Sequence, residues 1–201
     1  GGDLYALGSK PLRTVKRWVL SGARAVTVMN RDMQEKAIAL GSTPSDTHVM
    51  PMGAHLSVEL ESIPTVADAT VIRLLAVGRL VEKKGFDVLI SALSTMDAPY
   101  ELTIVGDGPE SARLRSAATD LPVTFAGQLG RVQLMRRYAE SDLVVFPSRR
   151  ASSGDQDGLP VALLEAMGAG RAVIVSDLPG LNEAVVHETS GLIVAPEDEE
   201  P

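Results

Sequence analysis

The sequence predicts an α/β fold: a doubly wound parallel sheet with helices on both faces, preceded by the remnant of another unit. Two observations predict it. Short, almost wholly apolar runs such as VIRLLAVG (71–78) and DLVVFPS (142–148) alternate with stretches of helical periodicity. Strands buried on both faces and joined by crossover helices read this way. Six such runs follow residue 70, enough for one complete sheet of this kind.

The elements can be justified in order. Residues 10 to 24, KPLRTVKRWVLSGAR, interleave Lys10, Arg13, Lys16, Arg17 and Arg24 with Leu12, Val15, Trp18 and Val19. Such a basic amphipathic helix either lies on an anionic membrane or shows a solvated basic face over an apolar core side. AVTVM (25–29) reads as a strand, DMQEKAIAL (32–40) as a helix and HVMPM (48–52) as a short strand. HLSVELESIPTVADAT (55–70) is irregular and polar, and is the expected linker between a unit at 1–54 and a unit at 71–201. Strands are then expected at 71–78, 101–106, 123–127, 142–148, 172–176 and 191–194. Helices are expected at 85–96, 109–119, 131–141 and 180–187, with Pro109 in a first helical turn.

One further helix poses a question. SSGDQDGLPVALLEAMGAG (152–170) begins as a floppy acidic loop. It continues through Pro160, suited to the first helical position, into VALLEAM, which is apolar on nearly every side except for Glu165. A helix apolar all round is normally buried, and a buried carboxylate needs partners. Glu165 is therefore either half of a structural ion pair or an acceptor for ligand hydroxyls. In the second case the helix start would present free N–H groups to a phosphate.

Composition sets bounds. The 201 residues carry 45% hydrophobic and 22% charged side chains, as soluble globular proteins do. Net charge is −7, which argues against a nucleic-acid backbone as partner. There is no cysteine, hence no disulfide framework and no thiolate chemistry. No apolar run reaches membrane-span length and no signal peptide opens the chain, so a cytoplasmic location is expected, at the inner membrane face if residues 10–24 touch lipid. The start at Gly1 and the stop at APEDEEP suggest a piece of something longer.

In doubly wound sheets, ligands bind beyond the carboxyl ends of the strands. The loops there carry the unusual residues. In AVGRLVEKKG (76–85), Arg79 and Lys84 could clamp a pyrophosphate, or cap a solvated basic turn. VGDGPE (105–110) superficially resembles a dinucleotide fingerprint, but Ser111 holds the third glycine's place, which disfavours an NAD-type oxidoreductase. A tight turn that lets backbone approach a ligand fits better. His48, His55 and His187 lack a second ligand at metal spacing, so no metal site is expected. No phosphate-binding GxxxxGK[ST] loop and no GxSxG elbow is present.

Taken together, GRLVEKKGFDVLISAL (78–93), VGDGPE (105–110), VTFAGQLG (123–130), YAESDLVVFPS (138–148), DGLPVALLEAMGAGRAVIVSD (157–177) and GLNEAVVHETSGLIVAPED (180–198) resemble a known family. It is that of the retaining, nucleotide-sugar-dependent glycosyltransferases of the GT-B fold, family four. GGDLYAL (1–7), AVTVMNRDMQEKAIALG (25–41) and VMPMGAH (49–55) resemble, more weakly, the end of that family's N-terminal lobe.

The resemblance implies a C-terminal lobe that binds a nucleotide-diphosphate sugar without metal or other cofactor, and a saccharide or lipid-linked acceptor. It implies that Arg79 and Lys84 hold the diphosphate. It maps the family's E-x7-E pair onto Asp157, near the donor sugar, and Glu165, which receives the ribose hydroxyls. Gly78, Gly106, Gly158, Leu159 and Val161 would lie against the donor. Gly127, Gln128 and Leu129 would meet the base through backbone of the loop that runs to Gly130. Asp157 stands where the family usually has Glu, Pro160 where glycine is common, and His55 where Asp usually ends the N-lobe segment. The N-lobe's glycine-rich loop and catalytic-site histidine would precede residue 1, and closing helices would follow residue 201. A nucleotide-sugar-binding fragment without turnover is the alternative to an enzyme.

Overall fold

The computed structural model describes residue 4 and residues 10–54 and 70–196. His55, the rest of the expected linker except Thr70, GGDLYAL except Leu4, and residues 197–201 lie outside the described residues.

The chain opens with helix α1 (Lys10–Gly22), strand β1 (Val26–Val28), helix α2 (Arg31–Ala39) and strand β2 (Thr47–Val49). β1 and β2 pair in parallel, Val26 opposite Thr47 and Val28 opposite Val49, with α2 as their crossover. Asn30 starts α2 by accepting the Met33 N–H on its side chain at 2.8 Å, the expected role of Asn at such a position.

Six parallel strands follow: β3 (Ile72–Val77), β4 (Tyr100–Val105), β5 (Val123–Gly127), β6 (Leu143–Phe146), β7 (Ala172–Ser176) and β8 (Leu192–Val194). Their order in the sheet is β5-β4-β3-β6-β7-β8. Helices α3 (Phe86–Ser94), α4 (Ser111–Ala117), α5 (Arg131–Glu140) and α6 (Val161–Gly168) connect successive strands.

β3 shows why both faces are covered. Leu74 and Ala76 join a core with Phe86, Leu89, Leu93, Ile104 and Leu114. Their neighbours Leu75 and Val77 point the other way, to Tyr138, Leu163, Ala166 and Val175. Side chains alternate across a strand, so an unbroken apolar run needs a core on each side. The doubly wound parallel sheet expected from the sequence is the observed fold.

Four local expectations need correction. Residues 180–187 form turns rather than a helix. Gly180 sits at φ +97°, which a right-handed helix cannot contain, and the His187 ring accepts the Ile193 N–H at 2.9 Å, fixing the chain in a turn. Pro109 precedes α4 by two residues instead of opening it, and Pro160, in an extended conformation, is the cap before α6. α6 is only half-buried: Leu163 and Ala166 are enclosed, but Val161, Leu164 and Glu165 are not. The loop before α6 is anchored rather than floppy, for reasons seen at the site.

Candidate functional site

β3, β4 and β5 run outward in sequence, and β6 then returns to the other side of β3. The chain therefore diverges from the carboxyl ends of β3 and β6, which opens a crevice at that point. Two segments line it: the turn after β3 (78–85) and the loop after β6 (147–160).

The turn tightens into a short 3-10 helix, Glu82–Lys84, that ends at Gly85 with φ +62°. A Cβ on Gly85 would fall 1.8 Å from the Pro147 carbonyl oxygen. Only glycine lets the turn press against the start of the second segment.

Three consecutive turn residues then pair, in order, with the loop. The Glu82 carboxylate accepts the Ser152 N–H at 2.8 Å and its hydroxyl at 2.9 Å. Lys83 Nζ stands 3.0 Å from Asp155 Oδ2. Lys84 Nζ donates to Asp157 Oδ2 at 2.7 Å, and Ser148 Oγ donates to the same oxygen at 2.8 Å. Arg149 adds backbone and guanidinium bonds to the carbonyls of Lys83 and Glu82 at 2.9 and 3.2 Å. The backbone N–H and then the hydroxyl of Ser152 hold the Glu82 carboxyl below its ordinary range. Burial pushes Asp87 up, but a hydrogen bond from Arg113 and the charges of Arg149 and Arg113 outweigh it and leave it depressed.

The result is a cleft of about 510 Å³ lined by Arg79, Lys83, Lys84, Ser153, Asp155 and Asp157, among others. Asp157 and Lys84 are largely enclosed, with 9% and 14% of their side chains exposed. Arg79 is exposed and makes no ion pair among the described residues. Lys84 reaches Asp157 across Gly78, where a Cβ would come within 3.0 Å of Lys84 Cε. A cleft with an unengaged guanidinium and an ammonium suits an anionic oxygen-rich ligand.

The remaining expected site residues divide. Gly106, at φ +136°, packs so close that a Cβ would meet the Gly78 carbonyl oxygen at 1.9 Å. It also donates its N–H to the Gly127 carbonyl at 2.8 Å, so Gly78, Gly106 and Gly127 line up along the carboxyl rim of β3, β4 and β5. Beyond them Gln128 is exposed, while Leu129 leans on the core. Leu159 also packs on that core, Val161 opens α6, and Gly158 abuts Met29 of the N-terminal segment.

Glu165 is half-buried on α6 and is not among the residues lining the cleft. It has no ion pair among the described residues. Its hydrogen-bond partner is the hydroxyl of Tyr138, fully enclosed, at 3.4 Å; the same hydroxyl donates to the Ala162 carbonyl at 3.2 Å. Burial, then the Glu165 charge and hydrogen bond, push the Tyr138 hydroxyl far above its ordinary range, so it stays a donor.

Sequence reasoning did not single out Ser148, Lys83, Asp155 or Tyr138. Two adjacent lysines look like a solvated turn, and nothing in local spacing ties Lys83 to Asp155. Among the described residues no group of three or more His, Asp or Glu is placed to hold a metal. No described helix is long and apolar enough to cross a membrane.

α1 stands apart from this site. Leu12, Val15, Trp18 and Val19 are exposed, Trp18 to 76%. A Cβ on Gly41 would lie 3.6 Å from Arg17 Cγ and 3.7 Å from Ser21 Cβ. The polar side of α1 thus rests on the end of α2, and the apolar side faces away.

Known proteins resemble this chain in sequence and architecture. The amylovoran biosynthesis glycosyltransferase AmsK of Erwinia amylovora is 36% identical over 179 residues, 84% of this chain and 43% of that protein. A protein of Mycobacterium tuberculosis named GDP-mannose-dependent alpha-(1-6)-phosphatidylinositol monomannoside mannosyltransferase is 37% identical over 124 residues, 58% of this chain and 32% of its own length. The chain thus spans less than half of each. The crystal structure of Anabaena Alr3699/HepE with UDP and glucose superposes with a TM-score of 0.77 at 21% identity, over 96% of this chain and 55% of that one. Sucrose-phosphate synthase from Thermosynechococcus elongatus does so at 0.74 and 26% identity, over 99% and 53%. Residues 72–201, from the first strand of the six-stranded sheet onward, match the family described as Glycosyl transferases group 1, and the chain belongs to that family.

Proposed function

We propose that the chain is the donor-binding part of an enzyme that transfers a sugar from a nucleotide-diphosphate sugar to a saccharide or lipid-linked acceptor, with retention of anomeric configuration. The observation that carries this reading is the cleft at the β3/β6 divergence, which Arg79, Lys84 and Asp157 line together. The names of the relatives support it: one is called a GDP-mannose-dependent mannosyltransferase and another a glycosyltransferase of amylovoran biosynthesis.

In this reading the diphosphate lies against Arg79 and Lys84. The bond between the sugar's anomeric carbon and the diphosphate oxygen breaks, and its electron pair leaves on the diphosphate. The acceptor oxygen bonds to the same face of that carbon and gives its proton to the departing diphosphate oxygen. The two cations favour the step because negative charge grows on the leaving group as the bond lengthens. Asp157 stands beside the donor sugar, Glu165 accepts the ribose hydroxyls, and the backbone from Gly127 to Gly130, through Gln128 and Leu129, meets the base. No metal has a part in it.

Calorimetric titration of the chain with UDP, GDP and ADP and with their hexose conjugates tests the reading. One nucleotide series binds, with affinity that falls in Arg79→Ala. Absence of binding by every series overturns it.

We also propose that α1 makes a peripheral contact with an anionic membrane. The support is its outward apolar side on a helix that carries Arg13 and Arg17, with no acidic residue from Lys10 to Arg24. Basic helices of this pattern lie in the interface with their apolar side in lipid.

A further inference from the structure

Lys84 is expected to bind a diphosphate, yet Asp157 already holds it at 2.7 Å. A diphosphate that draws Lys84 away would leave Asp157 nearly enclosed, with the Ser148 hydroxyl as its remaining close donor. Stranding an enclosed carboxylate is costly, so something must replace the ammonium if the donor is to bind well.

The structure places a replacement next to it. Lys83 Nζ stands 3.8 Å from Asp157 Oδ1, the oxygen that Lys84 and Ser148 do not use. Among the described residues it is the other cation within ion-pair distance of Asp157. At 3.8 Å it is attracted but not hydrogen-bonded, and it needs to close by about an ångström to bond. Its present partner can release it. Asp155 holds Lys83 through Oδ2 at 3.0 Å, and Asp155 is more exposed than Asp157, 24% against 9% of the side chain. Asp155 keeps more contact with water than Asp157, although its Oδ1 is enclosed and has no hydrogen-bond partner among the described residues.

We propose that Lys83 is a positioning residue that moves from Asp155 to Asp157 when the donor's diphosphate engages Lys84. The two lysines and two aspartates then act as a ladder whose pairings shift by one rung. Asp157 keeps a cation throughout and stays in place beside the donor sugar. This rests on the donor-site reading above and adds a role for a residue that touches neither phosphate nor sugar.

The test is a double-mutant cycle on nucleoside diphosphate affinity, read by calorimetry with the diphosphate that binds the wild-type chain. Lys83→Met weakens binding by roughly tenfold, because Lys84 can leave Asp157 only by stranding it. In an Asp157→Asn background no charge is stranded, and Lys83→Met changes affinity by less than about twofold. Lys83→Arg, which keeps a cation within reach, restores most of the affinity. Melting curves of all variants establish that each is folded at the titration temperature. An equal loss in both backgrounds makes Lys83 a direct phosphate ligand and overturns the inference, as does no loss in either, while the donor-site reading survives both results. Failure of the wild-type chain to bind any nucleoside diphosphate overturns that reading and this inference together.

Discussion

Lys84 and Asp157 are 73 residues apart in the chain and 2.7 Å apart in space, one on the turn after β3 and the other on the loop after β6. The first strand of the sheet and its fourth are thereby joined at their tips. A cation expected to meet a ligand is already engaged with a carboxylate, while its companion Arg79 is exposed.

That contrast separates two variants. Arg79→Ala removes an exposed side chain and changes stability by no more than about 0.5 kcal/mol, while diphosphate binding loses about 1.5–3 kcal/mol, the worth of a charged hydrogen bond. Lys84→Ala loses comparable affinity and also about 2 kcal/mol of stability, less than the roughly 3–5 kcal/mol that an orphaned enclosed charge costs, because Ser148 and Lys83 remain near Asp157. Urea denaturation and calorimetry on both variants check this. Equal stabilities would show that the pair is energetically idle in the free chain.

Glu165→Gln should leave stability within about 1 kcal/mol, because Tyr138 offers a neutral hydrogen bond and no cation is orphaned. Nucleotide affinity should fall by about 1–3 kcal/mol if the carboxylate accepts two ribose hydroxyls. A 2′,3′-dideoxynucleoside diphosphate should bind the two forms alike. A large fall in melting temperature with unchanged affinity would remove Glu165 from the donor site.

Acid should weaken the fold through Asp142. Hydrogen bonds from the Arg73 side chain, at 3.0 and 2.7 Å, are the first cause that holds this carboxyl below its ordinary range, and the Arg73 N–H adds to them. The folded chain binds this proton less tightly than the unfolded chain does. The stabilisation is therefore present above the unfolded value of about 3.9 and disappears as pH falls through the lower folded value. Denaturation midpoints of the wild type and Asp142→Asn should differ at pH 7 and converge as pH falls below the unfolded value. A gap that stays constant across this window would exclude Asp142.

Trp18 is the chain's one tryptophan and is 76% exposed. Its emission should shift to the blue on vesicles rich in phosphatidylglycerol and not on neutral phosphatidylcholine vesicles, with the shift reduced in Arg13→Ala/Arg17→Ala. Emission unchanged on both vesicle types would remove the membrane contact.

How far these features could be read in advance depends on the range of the forces that set them. Strands such as Ile72–Val77 declare themselves because burial on two faces demands an unbroken apolar run. Gly106 declares itself because a strand-end turn that packs backbone on backbone excludes a side chain. The turn at 180–187 did not, since its apolar spacing suits a helix, whereas Gly180 takes a positive φ and His187 accepts the Ile193 N–H from across the turn. Lys83 with Asp155, and Tyr138 with Glu165, are decided by which strands become neighbours. Nothing within a few residues of any of the four encodes that choice.

The contact of Gly106 with the Gly78 carbonyl divides the rim by its tolerance of change. At Gly106 a single added methyl collides with main chain, so the tips of β3 and β4 are closed to drift. Past β5 the opposite holds: Gln128 is exposed, and a Cβ on Gly130 would meet only the Gln133 amide oxygen, at 3.9 Å. Diversification among descendants of this sequence, natural or selected in the laboratory, accumulates at residues 128 and 130 and leaves the two tips as an inherited constant.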